Sequence, residues 1–135
     1  MRVVYSVVLF ALLALIAATQ SGCLVAAAAA GTGATVAYVR GDLEANLDAT
    51  PQRIIQASKA AMNDLQFTTT SSNASSVDGE LIARTATDKK VVVKVKGVTE
   101  KSSKVSIRIG TFGDEALSNQ ILDRIKANLA SQVAP

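Results

Sequence analysis

The sequence has no histidine, no tryptophan and a single cysteine among 135 residues. Each shortage excludes a class of chemistry. Histidine is the commonest general acid–base near neutral pH and the commonest metal ligand. Ser-His-Asp and Cys-His mechanisms are therefore excluded, and no Cys/His zinc set can be assembled. One cysteine cannot close an internal disulfide, so stability rests on packing. Aromatic residues make up only 4% of a chain that is 49% hydrophobic, which leaves burial to Ala, Val, Ile and Leu. The formal charge of +3 is too mild for a nucleic-acid binder, which is more basic and clusters its charge. No aromatic residue is interleaved among the lysines, so base stacking is not expected. Neither a cofactor nor a metal is expected.

The first residues are richer. Met1-Arg2 gives a positive start, and Val3 to Ala18 is an apolar run broken by one serine. Small residues follow, up to Cys23. These are the parts of a secretory signal, and sixteen apolar residues fall short of the roughly 20 that a membrane span needs. Ser21-Gly22-Cys23 resembles the lipobox of bacterial lipoproteins, with Gln20 where that pattern prefers Leu. The resemblance implies diacylation of the Cys23 thiol and cleavage between Gly22 and Cys23. Two or three acyl chains then give a durable membrane anchor. Leu24 in place of Asp implies, by enteric-type sorting, delivery to the outer membrane with the domain facing the periplasm. The alternative is an uncleaved anchor, because no charged residue occurs between Val3 and Val39.

Residues 23–34 read as the lipidated cysteine and an Ala/Gly tether. Ten tether residues reach at most about 35 Å. A single domain is expected over 35–130, with a disordered tail at 131–135. Thr35 to Leu47 alternates as one long strand, with Gly41 as a bend or bulge. Thr50-Pro51 reads as an N-cap followed by a first-turn proline. Ile54, Ile55, Ser58, Ala61, Met62 and Leu65 then form an apolar helical stripe. Phe67 to Ser76 is β-prone at its start and loop-like at its end. Asp78-Gly79 reads as a hairpin turn, leading to a strand over Glu80–Thr87. Strands at Lys90–Gly97 and Ser103–Ile109 put Val91, Val93, Val95, Val105, Ile107 and Ile109 inward. A second helix is expected from Asp114 to Ala130, capped by Thr111 or Asp114, or by both as a capping box. The order β-α-β-β-β-β-α predicts an α+β two-layer sandwich behind the N-terminal signal helix. Its antiparallel sheet would have four to five strands, with both helices on one face.

Ser106 to Leu129 (SIRIGTFGDEALSNQILDRIKANL), Tyr38 to Leu43 and the Thr50–Leu65 helix resemble a family of small bacterial lipoproteins known only as a domain of unknown function. Gly-Thr-Phe-Gly-Asp is the most specific part. The resemblance covers about Val36 to Leu129. It implies lipoprotein status and domain limits, and no catalytic residues.

Two features are candidate sites. The segment Thr111, Phe112, Gly113, Asp114 and Glu115 follows a glycine and feeds a helix. It reads either as a capped turn with Phe112 packed on the core, or as a recognition loop using Phe112 and the carboxylates. Asp114 and Glu115 complement the helix dipole and argue against a phosphate there. Lys90, Lys94, Lys96, Lys104 and Arg108 share the outward parity of two strands. They read either as a basic face meeting lipid phosphates or another acidic polymer, or as a solvated face balanced by Glu80 and Glu100. The functional expectation is a non-enzymatic envelope lipoprotein, membrane-bound through its lipid, that binds an envelope protein or a second copy. The alternative is a small-ligand or acidic-polymer binding module in the periplasm.

Overall fold

A computed structural model describes Met1 and residues 35–133. The rest of the signal segment, the Gly22–Cys23 junction, the 23–34 tether and the last two residues lie outside the described residues.

The stretch expected as one strand is a hairpin. β1 (Val36–Val39) turns through Arg40-Gly41 into β2 (Asp42–Leu47), and Val39 pairs with Asp42. Both turn residues have positive φ, +53° at Arg40 and +90° at Gly41. That is the geometry of a two-residue type I′ turn. Asn usually fills the first position. Arginine there hides the turn from a sequence reading.

Thr50 caps α1 (Pro51–Asp64) as expected, its hydroxyl accepting from the Arg53 N–H at 3.5 Å. The helix ends with Gln66 left-handed at φ +59°. Phe67 N–H then donates to Met62 O at 2.8 Å and Gln66 N–H to Asn63 O at 3.0 Å. This is the Schellman pattern with glutamine in glycine's usual place.

β3 (Thr68–Ala74) is longer than its serines and threonines suggest, and carries a register shift between Thr69 and Ser71. β4 (Asp78–Arg84) contains the Asp78-Gly79 pair instead of turning on it. The turn lies at Ser75–Asp78, where Ser75 N–H donates to Asp78 O. Gly79 has a packing reason instead: a Cβ there would sit 2.6 Å from Ile55 Cγ1 of α1. β5 (Lys90–Gly97) and β6 (Ser103–Ile109) match the expected limits. α2 (Glu115–Val133) runs through residues 131–133, which the sequence assigned to the tail.

The six strands form one antiparallel sheet in the order β1-β2-β6-β5-β4-β3. The fold is an α+β sandwich, with one strand more than expected because the first divides. Leu43, Ala45, Leu81, Ala83, Val91, Val93, Val105 and Ile107 share one sheet face. They join Ile54, Met62, Ile121 and Ile125 of the helices in a single core. Each Val, Leu, Ile or Met among them contributes about 1.5–3 kcal/mol on full burial. A one-residue slip of β5 would turn all three of its core valines to water, so burial fixes the register. Ser103, one of three buried serines among the described residues, ties loop to sheet, its hydroxyl donating to Ala49 O at 2.7 Å.

Candidate functional site

The Gly110–Glu115 segment is built by its contact with the β1–β2 turn. Gly110 leaves β6 at φ +64° and Gly113 lies at φ +85°. A Cβ on Gly113 would collide with Gly41 and with the Tyr38 hydroxyl. A Cβ on Gly41 would sit 2.6 Å from the Phe112 carbonyl oxygen. The two backbones touch where any side chain would part them. Glycine is required at both positions by space and by conformation.

Arg108 fastens the same junction. Its Nη1 donates to Asp42 Oδ2 at 3.1 Å and to Arg40 O at 3.4 Å, and its Nη2 to Thr111 O at 2.8 Å. One guanidinium thus joins both loops, which its planar fork of donors suits. Asp114 begins α2, its Oδ1 accepting from Leu117 N–H at 3.1 Å, and it lies 3.6 Å from Lys89 Nζ. With the helix starting at Glu115, the cap is Asp114. Thr111 lies too far back to complete a capping box with it.

Phe112 does not pack on the core. It is 91% exposed at the tip of this junction. Val39 stands 50% exposed on β1, the strand that enters the same turn. Of the two readings the sequence offers for Phe112, packed on the core or displayed in a recognition loop, this exposure excludes the first. The display needs Gly41, seventy residues away in the chain, whose packing on Gly113 holds the loop outward. The junction therefore presents an apolar ring on a fixed backbone, the kind of feature that anchors protein interfaces.

The basic face divides on inspection. Arg108 belongs to the junction. Lys104 Nζ lies 2.8 Å from Glu44 Oε2, and Lys94 Nζ lies 4.0 Å from Glu80 Oε1. Lys90 and Lys96 make no ion pair among the described residues. The balance comes from Glu44 and Glu80, the first of which the sequence did not single out for this role. A shallow concavity of about 700 Å³ crosses this face, lined in part by Glu44, Glu80, Lys94, Lys96 and Lys104. A second, of about 250 Å³, lies where Leu47–Ala49, Arg53 and the last turns of α2 meet. Neither combines a nucleophile with a buried partner. No cluster of three metal-ligating side chains occurs among the described residues. None of their helices is long and apolar enough to cross a membrane.

The fold and this junction define a class: a small α+β domain with one sheet face under helices, the other bare among the described residues, and a glycine-locked loop at one end. The chain belongs to a family of proteins of unknown function, DUF3568, whose model matches residues 6–128. No curated protein matches the chain. The family match begins inside the apolar N-terminal run, so the shared pattern includes that run along with the domain.

Proposed function

We propose that the protein is a lipid-anchored lipoprotein of the bacterial envelope, cut before Cys23, whose domain is a non-enzymatic protein-interaction module. It would be held at the outer membrane, facing the periplasm, and would meet its partner through the Phe112 junction. The observation that carries this reading is the 91% exposure of Phe112 on a backbone fixed from two sides. An exposed ring costs solubility without adding stability. Its rigid mounting removes the ordering cost that weakens flexible contacts. The anchor half is supported by the signal-like start, the small residues before the single cysteine and the reach of the family match.

A photo-crosslinking residue at position 112, in intact cells, tests the module. A discrete adduct is expected that is absent when the probe sits at Ser72 of the outer strand. Equal or no adducts at both positions would overturn the reading. Labelled palmitate tests the anchor: incorporation is expected in the natural chain and not in Cys23→Ala. Acidic-polymer binding on the bare face is the weaker alternative, because Glu44 and Glu80 already neutralise Lys104 and Lys94 there.

A further inference from the structure

The register of the sheet fixes where the N-terminal segment meets the domain. β1 pairs Val36 with Ala45, and extending that pairing by one residue sets Thr35 beside Asn46. Asn46 pairs with Lys104, Lys104 with Lys96, and Lys96 with Asp78. The chain therefore enters at the rim of the sheet that carries the β5–β6 and β3–β4 turns, at the opposite end of the strands from Phe112.

That rim exposes two valines, Val98 at 63% and Val77 at 66%. They are neighbours through the bond from Gly97 N–H to Val77 O, at 2.7 Å. Their turns are braced. The Ser75 hydroxyl accepts from Val77 and Asp78 N–H and donates to Asp78 Oδ1 at 2.6 Å. The Thr99 hydroxyl accepts from Lys101 and Ser102 N–H. Lys96 and Lys101 flank the valines and make no ion pair among the described residues. The acidic groups here are Asp48, Asp78 and Glu100, with Glu44 paired to Lys104. The rim is thus nearly neutral, and charge alone would not hold it to an anionic surface.

The tether changes that. Eleven residues lie between Cys23 and Thr35, a reach of at most about 40 Å. A contact too weak to recruit a free protein is populated when its two surfaces are linked at such a distance. We infer that this rim rests on the phospholipid surface, with Val77 and Val98 entering the headgroup layer and Lys96 and Lys101 reaching lipid phosphates. Apolar tips with long cationic side chains beside them suit interfacial contact, and the tether makes up for the carboxylates that share the rim. The inference rests on the lipid anchor proposed above.

The test uses the full chain, purified from bacterial membranes and reconstituted in vesicles of phosphatidylethanolamine and phosphatidylglycerol. A polarity-sensitive dye is attached at Val98→Cys or, separately, at Thr111→Cys. Lipid-borne quenchers are expected to quench the dye at 98 and leave that at 111 unquenched. Adding Val77→Glu should lower contact at 98 by roughly fivefold, from the lost apolar transfer alone. Lys101→Glu should lower it further in phosphatidylglycerol vesicles than in vesicles of neutral lipid. An acylated Cys23 with equal, weak quenching at both sites would overturn the rim contact and leave the anchor standing. A Cys23 that itself takes the dye would sink the anchor reading, and the rim contact with it. Shielding of position 98 in native envelopes but not in vesicles would assign the rim to a protein and overturn the inference.

Discussion

At the Phe112 end of the sheet, the chain is held by backbone against backbone. Gly41 meets Gly113, and one guanidinium closes over both loops. At the opposite rim the turns are held by hydroxyl groups, Ser75 in one and Thr99 in the other. Both ends expose apolar side chains, but they do so by different means. The first tolerates no added atom, whereas the second depends on a few exchangeable hydrogen bonds. A rigid mount suits a single aromatic that must meet a shaped partner. A looser one suits small side chains facing a surface without fixed shape.

The contrast is broken most directly at Gly113. Gly113→Ala must place a methyl group into Gly41 and adopt a positive φ, so a loss of about 3 kcal/mol or more is expected. Denaturant titration measures it. Gly97→Ala at the rim is the counterpart. Its Cβ would come no closer than 3.2 Å to the Val77 carbonyl, and a loss of about 1 kcal/mol is expected. Similar losses at both glycines would erase the distinction. Arg108→Met removes three donors from the junction and should cost about 1–2 kcal/mol, part of it recovered by Arg108→Lys. Arg40→Asn should raise stability by about 1 kcal/mol, because asparagine tolerates the left-handed turn better. Ser75→Ala should cost less, about 0.5–1 kcal/mol, since water can replace an exposed hydroxyl. Phe112→Ser should change stability by under about 0.5 kcal/mol and abolish the adduct formed by a crosslinking probe placed at neighbouring Thr111. A large loss of stability there would mean that the ring packs on the domain.

These contrasts also explain what the sequence disclosed. The valine strands and the Thr50-Pro51 helix start were legible because parity and capping are local. The first hairpin was not, since arginine in a type I′ turn conflicts with its own preference. Gly79 suggested a turn, yet it serves the approach of Ile55 of α1 to the sheet. β3 was only half legible because Thr and Ser on both faces leave no alternation to read. The outward parity of Arg108 was legible, but its role depends on Arg40, Asp42 and Thr111, brought to it from the β1–β2 hairpin and the loop after β6. The sequence left Phe112 open between core and display for the same reason: its neighbours are distant in sequence. The mixed charge of the bare face was partly foreseen through Glu80, whereas Glu44 pairs with Lys104 across strands far apart in the chain.

The strand order also imposes a timetable. β3 to β6 pair with neighbours in sequence, so they can assemble as each hairpin appears. β1 and β2 are made first, yet β2 has its inner partner in β6, with Asp42 bonded to Arg108 66 residues further on. Such distant closure is slow, because chain entropy must be lost before the pairing returns anything. The first hairpin therefore waits, unpaired on one edge, until nearly all of the sheet has been synthesised. The Gly41–Gly113 junction can form only after that, which makes the platform under Phe112 a late product of folding. A nascent or truncated chain would not display it.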